Sequence, residues 1–301
     1  MADFDPKRDI PNLGGKAIVV TGGTAGLGRE TVTSLVKAGS PHIFFTGRNA
    51  KSAQETTEAV KAIDRGAKIT FVECDLTDLK AVKAAAEKIT SQTNRLDIVF
   101  CNAGIMATPA ALSKDGFEIQ FATNHLGHAM LVQQLLPLLQ KTASQPKSDV
   151  RIIHNTSLGY QLASKINYDT IRTTQESYVL GAFKRYGQSK LANVLYPAEF
   201  ARRHPNITSV AIHPGVIMTG LVTNLSSFNY YFTQASTYKE QVTVDEGVKN
   251  QLWAATAPKD QIKNGAFYEP VGKLGRTTPA ALNQEMAKEL YDWTEKTLAQ
   301  Y

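Results

Sequence analysis

Cysteine, long apolar runs and blocks of like charge are all scarce in this sequence. Only Cys74 and Cys101 occur among 301 residues, and both lie in apolar, strand-like stretches. This placement predicts buried thiols in a reducing compartment and argues against a disulfide framework. No apolar stretch approaches the roughly 18 residues of a membrane-spanning helix, so we expect no membrane span.

The two ends of the sequence lack the signals that direct a chain to a compartment. Residues 1–6 are polar and acidic, unlike a secretory signal peptide. Residues 299–301 match no retention or lipidation signal. We therefore expect a cytoplasmic protein.

Positive charge is in excess but is not concentrated. The net charge is +6 at pH 7, yet the basic residues occur as short pairs among acids. This favours a solvated basic surface, and we expect no nucleic-acid partner. With 43% hydrophobic and 20% charged residues, the composition is ordinary for a globular protein. Because no repeat or linker interrupts the chain, we predict one domain over residues 1–301.

A glycine-rich turn at residues 21–28 reads Thr-Gly-Gly-Thr-Ala-Gly-Leu-Gly. A β-branched run at residues 17–20 precedes it, and residues 29–37 have helical spacing. Glycines let the backbone approach a pyrophosphate, and the N-terminus of a following helix offers free N–H groups to its charge. The pattern predicts a dinucleotide phosphate site, and the alternative is an ordinary turn.

The second predicted strand, residues 42–46, is followed by Gly47-Arg48-Asn49 and no acidic residue. In dinucleotide folds an acid at this point hydrogen-bonds the ribose 2′-hydroxyl, whereas an arginine accommodates a 2′-phosphate. Arg48 therefore predicts a preference for NADPH over NADH. The alternative is that Arg48 is a solvent-facing loop residue.

Strands and helices alternate along the rest of the chain. This alternation predicts an α/β fold with a doubly wound parallel sheet and helices on both faces. The further predicted strands are residues 68–73, 96–101, 150–155, 208–212 and 267–269. The predicted helices are residues 52–63, a helix through Val82 and Ala86, and residues 117–139, 245–257 and 280–298.

Tyr186 and Lys190 are one helical turn apart at the head of an apolar-periodic run, so their side chains project from the same face. A phenol with a pKa of about 10 is a poor acid–base catalyst at neutral pH. An ammonium beside it favours the phenolate and lowers that pKa, which predicts an acid–base pair. Chance spacing is the alternative, because the chain has 11 tyrosines.

Taken in order, these motifs resemble the short-chain dehydrogenase/reductase family over residues 13–293. Asn-His-Leu-Gly-His at residues 124–128, Ser-Lys-Leu-Ala-Asn at 189–193 and His-Pro-Gly at 213–215 resemble its retinol-dehydrogenase-like and WW-domain-oxidoreductase-like branch. The resemblance implies a single-domain Rossmann-type fold. Residues 13–104 would mainly bind cofactor, and residues 105–301 would carry catalysis and substrate binding.

The resemblance also implies a role for each candidate catalytic residue. Tyr186 gives or takes the hydroxyl proton during hydride transfer between a nicotinamide and a carbonyl or alcohol carbon, and Ser157 stabilises the substrate oxygen. Lys190 lowers the Tyr186 pKa and holds the nicotinamide ribose, while Asn124 positions a relay water. The residues just before Ser157, His154-Asn155-Thr156, are more polar than is usual in the family.

The same resemblance implies a binding site for NADPH or NADP. Asp75 would contact the adenine ring, and the main chain near Ile217 with the Thr219 side chain would hold the nicotinamide carboxamide. The implied cofactor-binding residues are Thr21, Gly22, Thr24, Gly26, Leu27, Gly28, Arg48, Asp75, Leu76, Asn102, Ala103, Gly104, Tyr186, Lys190, Pro214, Gly215, Ile217 and Thr219.

Residues 221–242 break the regular pattern, because they are rich in serine, threonine and asparagine yet carry several aromatic side chains. We expect a C-terminal substrate lid over an apolar ligand, together with the long connection between Ser157 and Tyr186. The expected substrate is a small hydrophobic or aromatic ketone, aldehyde or secondary alcohol. An oligomer contact is the alternative, and the chain could be a monomer or a homodimer.

Other classes of function are less consistent with the sequence. His125 and His128 have helical spacing for a metal pair, but no nearby Cys, Asp or Glu completes a ligand set, so we expect packing histidines and no metal. A hydrolase is disfavoured because no Gly-x-Ser-x-Gly surrounds Ser157 or Ser189. A non-redox catalyst or cofactor-binding scaffold on the same fold stays open, because a fold alone does not fix a function.

Overall fold

An eight-stranded sheet forms the centre of the molecule. The structure, a computed structural model, describes residues 4–177, 180–217 and 241–301. The strands of this sheet are β1 (Ala17–Val20), β2 (His42–Gly47), β3 (Ile69–Glu73), β4 (Ile98–Cys101), β5 (Arg151–Asn155), β6 (Thr208–Ile212), β9 (Phe267–Glu269) and β10 (Lys273–Leu274). A separate parallel pair joins β7 (Val216–Ile217) to β8 (Gln241–Val242).

Neighbouring strands of the large sheet run parallel up to β9, and β10 turns back antiparallel to it. The chain adds β2 and β3 on one side of β1, and then β4, β5 and β6 on the other. Such a reversal of strand order creates a crevice at the carboxyl ends of the strands, where ligands bind in doubly wound folds.

Helices cover both faces of this sheet. Successive side chains of a strand point to opposite faces, and the strand side chains are buried on both. In β1, Ile18 and Val20 belong to a core shared with the helices of one face, while Val19 belongs to the core of the other face. The helices of the described residues are α1 (Pro6–Asp9), α2 (Gly26–Val36), α3 (Ala50–Ile63), α4 (Leu79–Thr90), α5 (Ile119–Phe121), α6 (Gly127–Ala143), α7 (Gly181–Arg203), α8 (Val244–Thr256) and α9 (Gln284–Leu298). The predicted Rossmann-type doubly wound fold is confirmed.

The structure departs from the sequence prediction at several element boundaries. A π-helical turn at residues 122–126 separates α5 from α6, where we expected one continuous helix. The last helix begins at Gln284 rather than residue 280, because the Asn283 side chain accepts a hydrogen bond from the Met286 N–H and caps it there. The short strands β7, β8 and β10 carry too few residues to show a sequence period.

Two predictions concern parts of the chain that the structure covers incompletely. Thr219 and most of the expected lid, residues 221–240, lie outside the described residues, and the last two lid residues form β8. Among the described helices, none is both long and apolar enough to cross a membrane.

Candidate functional site

The predicted proton donor, Tyr186, lies in the second turn of α7 and is 5% exposed. Burial raises the pKa of its phenol to about 12, and a side-chain hydrogen bond with Ser157 acts in the opposite direction. Ser157 is the second residue after β5 and starts a short 3₁₀ turn by accepting a hydrogen bond from the Gly159 N–H. The structure therefore brings Tyr186 and Ser157 together at the end of a central strand.

Lys190 shares the buried face of α7 with Tyr186, but its ammonium points to a different partner. The Nζ atom donates to the backbone carbonyl of Asn155 at 2.9 Å and lies 5.7 Å from the centroid of the Tyr186 ring. Burial lowers the Lys190 pKa to about 8. The lowering of the Tyr186 pKa that we expected from Lys190 is therefore not seen, because the desolvation of both side chains dominates.

Asn124 lies within the π-helical turn and is fully buried. Its carboxamide makes hydrogen bonds of 2.9 Å to the backbone N–H and C=O of Ile105 and to the Ser189 hydroxyl. A Cβ placed on Gly104 would lie 3.1 Å from the Asn124 Oδ1 and 3.6 Å from the Lys190 Nζ. Asn124 and Lys190 thus flank the same glycine, while the relay water remains a prediction.

The glycine-rich turn has the conformation that a phosphate site needs. Gly22 adopts a φ of +67°, and a Cβ on Gly28 would collide with the Gly22 carbonyl. Side chains cap the N-termini of α3, α4, α8 and α9, whereas no side chain caps α2. The first N–H groups of α2 therefore remain available to an anion, which fits the pyrophosphate of a dinucleotide.

Thr21 and Thr24, the first and fourth residues of this turn, have different surroundings. Thr21 is fully buried, and its hydroxyl contacts Phe100, Asn102, Ala103 and His128. Its side chain supports the turn from inside and has no surface through which to contact a ligand. The Thr24 side chain faces the backbone of Gly47, where a Cβ would lie 2.6 Å from it.

Arg48 follows Gly47 and is therefore next to the glycine-rich turn. It is exposed, and none of the described residues gives its guanidinium a hydrogen bond or ion pair.

Asp75 and Leu76 follow the neighbouring strand β3. Asp75 accepts two hydrogen bonds from Thr77 through its Oδ1, and Leu76 is buried against Gly127. The residues implied for the adenosine end of a cofactor thus share one edge of the sheet.

The residues implied for the nicotinamide end follow β4 and β6. Asn102 donates through its Nδ2 to the Thr21 carbonyl at 2.8 Å, which fixes the turn that ends at Gly104. After β6, Gly215 has a φ of +94°, and Ile217 is buried in β7. These residues also lie at the carboxyl edge of the sheet, so the described part of the implied cofactor site is spatially continuous.

The buried histidines make protein contacts. His125 forms a hydrogen bond of 2.9 Å with Thr294, and His128 forms one of 2.8 Å with Thr21 and one of 3.0 Å with the Asn124 carbonyl. His154 packs against the Tyr196 ring. Burial lowers the pKa values of His125 and His154 to about 3 and that of His128 to about 4. These contacts fit packing residues better than metal ligands.

The sequence did not single out Asn155 and Gln251 as site residues, although the structure places both beside Asn102. The Asn155 Nδ2 donates to the Asn102 Oδ1 at 3.1 Å and to the Gln251 Oε1 at 2.7 Å. Unusual polarity at the end of β5 was the one signal for Asn155. Gln251 gave none, because its partners are distant in the sequence.

A second unforeseen contact is a buried ion pair at the head of α7. The Arg185 Nε lies 3.3 Å from the Glu118 Oε1, and their side chains are 5% and 0% exposed. Arg185 also donates to the Thr108 carbonyl at 2.9 Å, and Glu118 caps α5 by accepting from the Phe121 N–H. The pair ties the start of the Tyr186 helix to the segment that follows Gly104.

Known proteins show similarity over nearly the whole chain. A family model described as short chain dehydrogenase matches residues 16–164. The chain is 36% identical over 298 residues to an uncharacterized oxidoreductase of Schizosaccharomyces pombe, which covers 96% of this chain and 86% of the relative. It is 28% identical over 280 residues to retinol dehydrogenase 12 of Mus musculus, covering 92% of this chain and 84% of that protein.

The fold also matches that of a solved carbonyl reductase. The structure of the NADPH-bound carbonyl reductase from chicken fatty liver has a TM-score of 0.64 and 24% sequence identity, and the match covers 88% of this chain and 100% of that one. This match concerns the fold. The sequence matches show that the chain belongs to the short-chain dehydrogenase/reductase family of oxidoreductases.

Proposed function

We propose that the protein is an NADPH-dependent carbonyl reductase and alcohol dehydrogenase with Tyr186 as the proton donor and acceptor. The observation that carries the proposal is the contact between the buried Tyr186 phenol and Ser157 at the carboxyl end of β5, with Lys190 on the same helix face. A carbonyl oxygen placed against both hydroxyls would meet one proton donor and one hydrogen-bond donor.

The protein side chains have separable tasks in this reaction. NADPH, when bound, supplies the hydride. The raised pKa of Tyr186 keeps its phenol protonated at neutral pH, so it can donate a proton to the substrate oxygen. Ser157 stabilises the charge that develops on that oxygen, and Lys190 offers its remaining N–H groups to the nicotinamide ribose. A protonated Tyr186 favours reduction of a carbonyl over oxidation of an alcohol.

The preference for NADPH rests on the surroundings of Arg48. Its exposed guanidinium, beside the glycine-rich turn and without an ion-pair partner among the described residues, is suited to a 2′-phosphate. The chicken carbonyl reductase of similar fold is an NADPH-bound protein. The cofactor-binding set predicted from the sequence belongs to this proposal, apart from Thr21, which is fully buried. Thr219, a member of the set, lies outside the described residues.

The substrate class is proposed from the sequence of residues 221–242, which is rich in aromatic residues. Burial of apolar surface contributes about 25 cal/mol per Å², so a bulky hydrophobic or aromatic ketone or aldehyde should bind better than a small polar one. Three further points also rest on the sequence alone and stay predictions. They are substrate binding by residues 105–301, the lid, and the cytoplasmic location.

A ketone series graded by size and polarity tests this proposal. Loss of reduced-nicotinamide absorbance is measured for the wild type and for the Tyr230→Ala/Tyr231→Ala variant. We expect the lowest KM for large apolar ketones, and a weaker preference for them in the variant. Fastest turnover of small polar ketones would contradict the substrate class. Binding of NADPH without turnover of any carbonyl would instead favour a cofactor-binding scaffold.

A further inference from the structure

His128, in the first turn of α6, forms hydrogen bonds with two parts of the candidate site. Its Nε2 lies 2.8 Å from the hydroxyl of Thr21 in the glycine-rich turn, and its Nδ1 lies 3.0 Å from the Asn124 carbonyl. A neutral imidazole donates from one ring nitrogen and accepts at the other. The position of the ring proton therefore determines the direction of both bonds.

The partners of the ring place its proton on Nδ1, because a backbone carbonyl can only accept a hydrogen bond. Both lone pairs of the Thr21 hydroxyl are used, since the backbone N–H groups of Asn102 and Ala103 donate to it at 2.9 and 3.0 Å. This hydroxyl must therefore donate, and the His128 Nε2 at 2.8 Å is nearer to it than the Phe100 carbonyl at 3.1 Å. Burial lowers the His128 pKa to about 4 and so keeps the ring neutral.

Through the Thr21 hydroxyl, His128 acts on two turns that would line the cofactor. Thr21 begins the glycine-rich turn, and the two N–H groups that it accepts belong to the turn at residues 102–104. These turns are in close contact, because a Cβ on Gly22 would lie 3.1 Å from the Cα of Ala103. With its hydrogen directed to His128, the hydroxyl presents its lone pairs to the second turn and holds the two turns together.

Through its Nδ1, His128 holds the main chain of the π-helical turn. Asn124, whose carbonyl accepts this bond, donates from its Nδ2 to the Ser189 hydroxyl at 2.9 Å. That hydroxyl donates in turn to the Tyr186 carbonyl at 2.8 Å. A continuous row of hydrogen bonds therefore connects the His128 ring with the backbone of the proposed proton donor.

We propose that His128 is a positioning residue with two separable tasks. Its Nε2 orients the Thr21 hydroxyl and thereby supports cofactor binding, whereas its Nδ1–H holds Asn124 and thereby supports catalysis by Tyr186. The His128 side chain is buried, so it acts through these residues and touches neither cofactor nor substrate. The inference rests on the proposed function, because the two tasks are measured as NADPH affinity and as the rate of carbonyl reduction.

Two substitutions separate the tasks, because each keeps one half of the hydrogen bonding of the ring. The amide nitrogen of His128→Asn can replace Nδ1–H, but this side chain ends before the position of Nε2. The amide oxygen of His128→Gln can replace Nε2, but the Asn124 carbonyl then loses its donor. His125→Asn and His125→Gln are the matched controls, because His125 is buried to the same extent and bonds to Thr294 of α9 instead.

NADPH dissociation constants and single-turnover rates of ketone reduction at saturating NADPH are measured for the wild type and all four variants. His128→Asn should bind NADPH about 2–10-fold more weakly, the usual net value of one hydrogen bond, and should reduce the ketone at close to the wild-type rate. His128→Gln should show the reverse, with an affinity close to that of the wild type and a rate about 2–10-fold lower. Neither control should separate affinity from rate.

Three results would overturn the inference. They are equal losses of affinity and rate in both His128 variants, no loss in either variant, and the opposite assignment of the two losses. A wild type that neither binds NADPH nor reduces a ketone overturns the proposed function and, with it, both tasks.

Nuclear magnetic resonance of the wild type keeps the test decisive if a variant does not fold, and it needs no cofactor. In protein with isotope-labelled histidine, the His128 Nδ1 should carry the proton at neutral pH, and Nε2 should have the chemical shift of an unprotonated ring nitrogen. A proton on Nε2, or a charged ring, would overturn the inference whether or not the protein is a reductase.

Discussion

The ammonium of Lys190 donates a hydrogen bond to the backbone carbonyl of Asn155 at 2.9 Å. This contact holds Lys190 at the end of β5, beside Ser157, and 5.7 Å from the centroid of the Tyr186 ring. Burial acts on both side chains, lowering the Lys190 pKa to about 8 and raising the Tyr186 pKa to about 12. At neutral pH the pair is therefore a neutral phenol and an ammonium, the combination that suits proton donation to a carbonyl.

The pH dependence of reduction should follow Lys190. Tyr186 stays protonated until its pKa of about 12, whereas Lys190 loses its charge as the pH rises through about 8. We expect kcat/KM for ketone reduction to be constant at neutral pH and to fall above about pH 8. Alcohol oxidation needs Tyr186 to accept a proton and should rise with pH instead. In Lys190→Arg, whose guanidinium stays charged, the fall near pH 8 should disappear from the residual activity. A reduction profile that is the same in both proteins would contradict this assignment.

The cofactor preference should depend on Arg48. A charge-assisted hydrogen bond contributes about 1.5–3 kcal/mol, which is about tenfold to a hundredfold in affinity. Arg48→Ala should therefore weaken NADPH binding by that factor and leave NADH binding nearly unchanged, as measured by fluorescence titration. Arg65→Ala, at another exposed arginine, is the matched control and should bind both cofactors as the wild type does. Equal discrimination in Arg48→Ala and the wild type would reject the assignment.

The buried Glu118–Arg185 pair should show strong coupling in stability. Arg185→Met leaves the Glu118 carboxylate buried and unpaired, which typically costs about 3–5 kcal/mol. The double variant Glu118→Gln/Arg185→Met removes both charges and should recover most of that loss in urea unfolding. If the single and double variants have the same free energy of unfolding, the two buried charges are not coupled and the prediction is wrong.

Acid should destabilise the protein through its buried histidines. The pKa values in the folded state are about 3 for His125 and His154 and about 4 for His128 and His213. Histidine in an unfolded chain has a pKa of about 6.5, so below that pH the unfolded state binds protons that the folded state does not. The free energy of unfolding should therefore fall as the pH drops from about 6.5 to about 4.

His154 offers a direct test, because its Nε2 has no hydrogen-bond partner among the described residues. His154→Leu should reduce the slope of unfolding free energy against pH by up to about 1.4 kcal/mol per pH unit. His42→Gln, at a half-buried histidine, is the control and should change the slope less. Identical slopes in His154→Leu and the wild type would show that this ring does not stay neutral in the folded state.

The sequence predicted the elements whose signals are local. The run of Gly22, Gly26 and Gly28 after an apolar strand was enough to predict the tight turn from β1 into α2, because such a turn needs glycine at fixed spacing. Its binding of a dinucleotide stays a prediction. Fixed spacing likewise placed Tyr186 and Lys190 on one helix face. These features depend on residues that are close along the chain.

What the sequence could not predict depends on contacts between distant elements. The partners of Asn155, Asn102 and Gln251, are 53 and 96 residues away. The pKa of Tyr186 is determined by burial under the whole fold rather than by the nearby Lys190. The direction of the Lys190 ammonium leaves no periodic pattern in the sequence. The same holds for the π-helical turn at Asn124.

Single-turnover reduction of a hydrophobic ketone by the NADPH-loaded Tyr186→Phe variant tests the central claim most directly. The hydride-transfer rate is followed by the loss of reduced-nicotinamide absorbance, and NADPH affinity is measured in the same sample. We predict a rate at least about 100-fold below that of the wild type, because a positioned acid contributes about that much. NADPH affinity should stay within about threefold, because the Tyr186 phenol acts on the substrate oxygen. A rate close to that of the wild type, with NADPH bound, would show that another group donates the proton.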